Sequence, residues 1–229
     1  MKTLLLLFVL LLASHSFGQT ETDIQLAQYY YTNGEFEKAS SYYEKIYAND
    51  PSKVVFTRYY ECLLEIKDVK TAEKIIKKQV NQNPGDLELR VTFAQFYEDL
   101  NEEGKARKIY EAIIEEVNGN PGLTIQIYQA FIARGKFDFA KSCLDKGRKL
   151  APSYPFNFQY ADYYSLMGNK SEMMREYIEY LELQPNMKES IQLAINSRVD
   201  LTKSDAPDFM ALKELLITKT QKANAPLIY

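Results

Sequence analysis

The stretch NGEFEKASSYYEKIYANDP, Asn33–Pro51, opens on a turn glycine and closes on a helix-stopping proline. Between them Ala39, Tyr43 and Ile46 are spaced four and three apart, as one buried stripe of a helix requires. Working outward, the place of Ala39 is taken again by Ala72, Ala106, Ala140 and Met173, in steps of 33, 34, 34 and 33 residues. The place of Pro51 is taken by Pro84, Asn118, Pro152 and Pro185, in the same steps. Two separate landmarks on one period define an internal repeat. Three further columns follow it. Tyr43, Ile76, Tyr110, Leu144 and Tyr177 hold one apolar position. Ala27, Tyr60, Ala94, Tyr128 and Ala161 hold a second, and Tyr30, Leu63, Tyr97, Phe131 and Tyr164 a third.

A period of this length, with two helical stripes per period, reads as an all-α chain with a pair of helices in each repeat. A small side chain lets two helix backbones approach to about 8–10 Å. Aromatic residues one turn away fill what remains, which suits a chain with 18 Tyr, 12 Phe and no Trp. No single pair can bury its apolar face alone, so neighbouring pairs must stack.

These residues resemble the tetratricopeptide repeat family. Its pattern of small residue, aromatic and turn glycine, then small residue, aromatic and closing proline, is met by Ala27, Tyr30, Gly34, Ala39, Tyr43 and Pro51. Phe131, Gly135, Ala140, Leu144 and Pro152 repeat it, as do Ala161, Tyr164, Gly168, Tyr177 and Pro185. Tyr60 and Tyr128 depart from the small residue and Met173 from the alanine, and the second and third repeats lack the glycine. The resemblance implies a right-handed superhelix, a TPR-like α-solenoid, of about five repeats over residues 19–187. Exported repeat proteins of the Bacteroidetes are similar at the N-terminus.

The two ends read differently. MKTLLLLFVLLLASHSFGQ has one lysine, an apolar core from Leu4 to Ala13, and small residues Ser16 and Gly18. That is a signal peptide of residues 1–18, cleaved after Gly18. Its apolar core is too short to span about 30 Å of hydrocarbon. Export to the periplasm or cell exterior follows, with no membrane span in the mature chain. Residues 188–229 read as an irregular helix pair: Lys188–Arg198, then a helix over DAPDFMALKELLITKTQ with Asp205 as N-cap and Pro207 in the first turn. The apolar ending APLIY lacks the polar face of a terminal repeat. The sequence therefore reads as the front of a longer protein.

Composition narrows the function. A formal charge of −3 without a basic tract disfavours a nucleic-acid partner. The one histidine, His15, lies in the leader, so a mature chain has no Ser-His-Asp arrangement and no histidine-ligated zinc. Cys62 and Cys143 fall two repeats apart, further than the roughly 4.4–6.8 Å between Cα atoms that a disulfide tolerates, and read as small buried apolar residues. Carboxylate pairs such as Glu102/Glu103 and Glu115/Glu116 read as solvated helix faces. No enzyme, cofactor or metal site is expected.

What remains is a binding face. The resemblance places it on the concave side, at set positions of each first helix. Carried over, these positions include Gln28, Tyr31, Glu61, Glu65, Glu88, Val91, Gln95, Glu98 and Asp99, then Ile125, Gln129, Ile132, Phe158 and Asp162. None is Lys or Arg, so the family's cationic clamp for a C-terminal carboxylate is missing. An acidic first half and an apolar second half imply a protein or peptide partner with a neutral or basic segment. The chain is expected to be a non-catalytic interaction scaffold, the alternative being a sensing or assembly module of a longer signalling or envelope protein.

Overall fold

The computed structural model describes residues 22–223. The leader with its cleavage site and the APLIY segment lie outside the described residues. The helices are α1 (22–32), α2 (Phe36–Asn49), α3 (Lys53–Glu65), α4 (Val69–Gln82), α5 (Leu87–Asp99) and α6 (Glu103–Glu115). Then come α7 (Pro121–Ala133), α8 (Phe137–Leu150), α9 (Asn157–Leu166) and α10 (Lys170–Leu183). A 3-10 turn, Pro185–Met187, leads to α11 (Lys188–Asn196) and α12 (Pro207–Ala223). No strand occurs among the described residues. Two compact units divide between Phe96 and Tyr97, inside α5.

Each repeat is a helix pair, and all five pairs close in the same way. In the first, the Gly34 N–H donates to Tyr31 O and the Glu35 N–H to Tyr30 O. The same two bonds recur at Lys67 and Asp68, at Asn101 and Glu102, at Gly135 and Lys136, and at Gly168 and Asn169. This is the Schellman closure, and it needs a left-handed residue at its centre. Gly34, Gly135 and Gly168 supply φ values of 74°, 67° and 70°. In the two repeats without glycine, Lys67 at 58° and Asn101 at 59° adopt the same conformation. The turn therefore survives where its usual residue is missing, because two backbone bonds and the packing of both helices hold it. The next residue then starts the second helix. The carboxylate of Asp68 accepts from the Thr71 N–H at 3.1 Å, and the Asn169 side chain accepts from the Glu172 N–H at 3.2 Å.

The sequence columns become the core. Ala39, Ala72, Ala106, Ala140 and Met173 are all buried, as are Tyr43, Ile76, Tyr110, Leu144 and Tyr177. Tyr60 and Tyr128 are buried despite standing where a small residue is usual. Tyr60 is accommodated by stacking on Phe56, centroids 5.6 Å apart. Tyr128 reaches forward, its hydroxyl donating to Asp162 Oδ2 at 3.0 Å.

At the C-terminal end, α11 stops at Asn196, two residues short of the expected Arg198. Ile191, Ile195 and Val199 continue the core formed by Met173, Met174, Tyr177 and Leu181 of α10. Leu212, Leu215 and Leu216 of α12 pack against this core. Asp208, rather than Asp205, ties the start of α12: its carboxylate accepts from Lys170 Nζ at 2.7 Å and from the Asp200 N–H at 3.2 Å.

Candidate partner-binding face

The expected face positions fall on the first helices of the pairs, α1 and α3 in the first unit, α7 and α9 in the second, and α5 at the division. On α1 and α3, Tyr31 and Glu61 are brought together: the Tyr31 hydroxyl donates to Glu61 Oε2 at 2.8 Å. Arg58 completes the group, donating through Nη1 to Tyr31 Oη at 2.8 Å and to Glu61 Oε2 at 3.0 Å. Its guanidinium also lies 4.6 Å from the centre of the Tyr31 ring. The bond to Glu61 is the main reason that the Tyr31 hydroxyl titrates above its ordinary range, with burial second. Arg58 is absent from the sequence-predicted face, although it sits three residues before Glu61 on one helix, the spacing of an ion pair.

Glu98 is likewise met by a cation, Lys136, with both side chains largely shielded. No helical spacing announces that pair, because Lys136 belongs to the turn after α7. The expected acidic half is thus weaker than the helix positions imply: Glu61 and Glu98 are neutralised locally. Glu65 and Asp99 are exposed and have no ion-pair partner among the described residues. Gln28 and Gln129 are exposed too, while Gln95, Ile125, Ile132 and Asp162 are half-buried. Val91 does not belong to the face. It is fully buried, three residues before the fully buried Ala94 on the same stripe of α5.

Phe158, on α9, is half-buried against Tyr180 and Tyr177, with ring centroids 4.7 and 5.7 Å away. Beneath it lies a charge network that the sequence reading missed. Arg148 of α8 forks onto Glu176 of α10, Nη1 to Oε1 at 3.1 Å and Nη2 to Oε2 at 2.7 Å. The same arginine donates through Nε to Pro155 O at 2.6 Å and lies 3.7 Å from the Tyr160 ring centre. Asn157 Nδ2 also donates to Glu176 Oε2, at 2.8 Å. One buried carboxylate therefore collects donors from α8 and α9 and sets how these helices meet α10.

Reactive groups are held in unreactive states. Cys62 and Cys143 are free and fully buried. Burial pushes their thiols up to about 11 and about 12, so both stay protonated near neutral pH. No group of three or more His, Cys, Asp or Glu suited to a metal occurs among the described residues. Nor is any described helix long and apolar enough to cross a membrane.

A sequence model described as "Tetratricopeptide repeat" matches residues 24–53, the first helix pair and its closing proline. The first helix pair thus matches the tetratricopeptide repeat, and the later pairs share its turn and its buried columns. No curated protein matches it in sequence. Among solved structures, a tetratricopeptide repeat protein of Parabacteroides merdae is similar at 14% identity and a TM-score of 0.39, over 90% of this chain and 75% of that one. A thermophilic repeat protein of Thermus thermophilus is 18% identical at a TM-score of 0.36, over 78% and 98%. PilW, described as a type IV pilus biogenesis factor, is 14% identical at 0.36, over 90% and 94%.

Proposed function

We propose that this repeat protein is an exported, non-catalytic scaffold that holds a neutral or basic segment of a protein partner along the first helices of its repeats. One observation carries the reading: polar side chains on successive first helices are tied together before any partner arrives. Tyr31 joins α1 to α3 through Arg58 and Glu61, and Tyr128 joins α7 to α9 through Asp162. Ties of this kind fix the spacing of a face, and a fixed face spends less entropy on binding than a mobile one. Gln28, Glu65, Asp99 and Gln129 remain open beside these ties. Export is supported by the leader sequence alone, and the absence of catalysis by the buried, protonated thiols and the lack of histidine after residue 15.

Immobilised chain beginning at Gln19 tests the reading against envelope extract, compared with a Glu65→Lys, Asp99→Lys variant of unchanged melting temperature. Retention of a partner by the parent, weakened by salt and by the double reversal, is the expected result, because exposed charges are screened over about 8 Å at physiological ionic strength. A partner retained equally by both proteins at every salt concentration places binding away from this face.

A further inference from the structure

The second helices of the repeats differ in one respect. On α2, α6, α8 and α10 a cation is answered by a carboxylate three or four residues away: Lys38 by Glu35, Arg107 by Glu111, Lys141 by Asp145 and Arg175 by Glu172. On α4 and the turn before it, Lys67, Lys70, Lys74, Lys77 and Lys78 are all exposed, and none of them makes an ion pair among the described residues. Spaced three or four apart, Lys70, Lys74, Lys77 and Lys78 share one side of the helix over about 12 Å of its length. The buried Ala72, Ile75, Ile76 and Gln79 take the opposite side. Lys78 Nζ rests 5.3 Å from the centre of the Tyr47 ring. Of the two acids in this stretch, Asp68 accepts from the Thr71 N–H and Glu73 is half-buried.

Such a stripe destabilises the helix that bears it. Like charges three and four residues apart repel, and Lys70 stands in the first turn of α4, against the helix dipole. In a chain of formal charge −3, the repulsion goes unrelieved by any ion pair to these lysines among the described residues. An anionic partner would relieve it. What α4 lacks narrows that partner. The helix has no aromatic side chain on which a base could stack, and no arginine to fork onto phosphate. Val69 is its one large exposed apolar residue, too little to seat a helix in a bilayer surface. Ammonium groups in a row suit carboxylates in a row, point charge to point charge. We propose that α4 docks an acidic segment of a protein partner, laid along Lys70, Lys74 and Lys77. This strip lies on a second helix and bears charge opposite to that of Glu65 and Asp99, so it stands or falls apart from the first-helix face.

Dye-labelled decaglutamate, followed by fluorescence anisotropy, tests this on the chain beginning at Gln19. Saturable binding that weakens as salt rises is expected, because exposed charges are screened over about 8 Å at physiological ionic strength. Decaglutamine should not bind. Lys74→Glu is the deciding variant, since it moves two readouts in opposite directions. Its new carboxylate meets Lys70, Lys77 and Lys78 at helical spacing, so the melting temperature should rise, while decaglutamate binding should fall roughly fivefold. Lys108→Glu makes the same change of net charge at another exposed lysine and should leave binding nearly unaltered. Vesicles of phosphatidylglycerol and an oligothymidylate represent the other anionic classes. Tighter binding of either than of decaglutamate, undiminished decaglutamate binding by Lys74→Glu, or an equal loss with Lys108→Glu would overturn the assignment. So would a parent chain that decaglutamate never saturates.

Discussion

Gly147 of α8 lies so close to Thr124 of α7 that a Cβ on the glycine would stand 2.5 Å from Thr124 Cγ2 and 3.2 Å from Phe156 Cζ. Thr124 and Phe156 are both buried and cannot swing aside. Here the two helices of the fourth repeat meet with no room for a side chain at residue 147.

Gly147→Ala should therefore destabilise the protein. Alanine gains about 1 kcal/mol of helix propensity over glycine, but overpacking a rigid core typically costs about 1–3 kcal/mol. With the buried side chains of Thr124 and Phe156 as the neighbours, the clash wins. Thermal melts should show the loss, and Thr124→Ser, which removes Cγ2, should recover part of it in the double variant. A melting temperature raised by Gly147→Ala alone would show that α7 can move away.

The left-handed turns give an opposite sign. A left-handed residue with a Cβ costs about 1–2 kcal/mol, and Asn bears it better than Lys. Lys67→Gly should stabilise, and Asn101→Gly should do so by less. Gly34→Ala should cost about 1 kcal/mol although nothing lies within 4 Å of the added carbon, because the penalty is in φ. Chemical denaturation of the three variants ranks them directly.

The Arg148–Glu176 pair predicts an asymmetry. Arg148→Met strands a carboxylate whose side chain is 8% exposed, and breaking a buried pair costs about 3–5 kcal/mol. Glu176→Gln should cost less, since the amide still accepts from Arg148. Glu176→Leu added to Arg148→Met should regain stability by removing the stranded charge. If the double variant proved less stable than Arg148→Met alone, Glu176 would owe its place to Asn157 rather than to the arginine.

Alkaline pH should weaken the fold in a defined window. Burial raises the folded Cys62 thiol to about 11 from an ordinary value of 9.0. The unfolded chain therefore sheds this proton first, and stability falls as pH rises from about 9 to about 11. Burial also raises Tyr59, to about 12 from 10.0, which extends the decline above pH 10. Cys143, raised to about 12 by burial, adds to the same decline, so Cys62→Ala should lessen the slope between about pH 9 and 10 without removing it, measured by urea midpoints under reducing conditions.

The helix pairs were legible because a two-landmark period constrains every repeat at once. The column from Ala39 to Met173 marks the second helix of every pair, and the column from Ala27 to Ala161 marks the first. Pairing across helices was not legible in the same way. Arg58 could have been found from its spacing to Glu61, but Lys136 meets Glu98 across 38 positions, and only packing makes them neighbours. Val91 was misplaced because a position rule ignores which stripe a given helix buries. The second and third repeats depart from the pattern by lacking the turn glycine, yet two backbone bonds hold Lys67 and Asn101 in the same left-handed geometry. Gly147 carried no signal at all, since a glycine inside a helix looks the same whether or not a neighbour presses on it.

The repeated closure has a consequence for how the molecule comes apart. The amides of Glu35, Asp68, Glu102, Lys136 and Asn169 are each held by a carbonyl five residues back, so the bend inside every pair is locked like helix interior. Between pairs, residues 51–54 and 81–85 lie exposed. Transient opening, and with it proteolytic nicking, should therefore begin at these connections. Limited digestion would release intact hairpins, so the smallest piece the chain can lose cleanly is a whole pair of helices, never one.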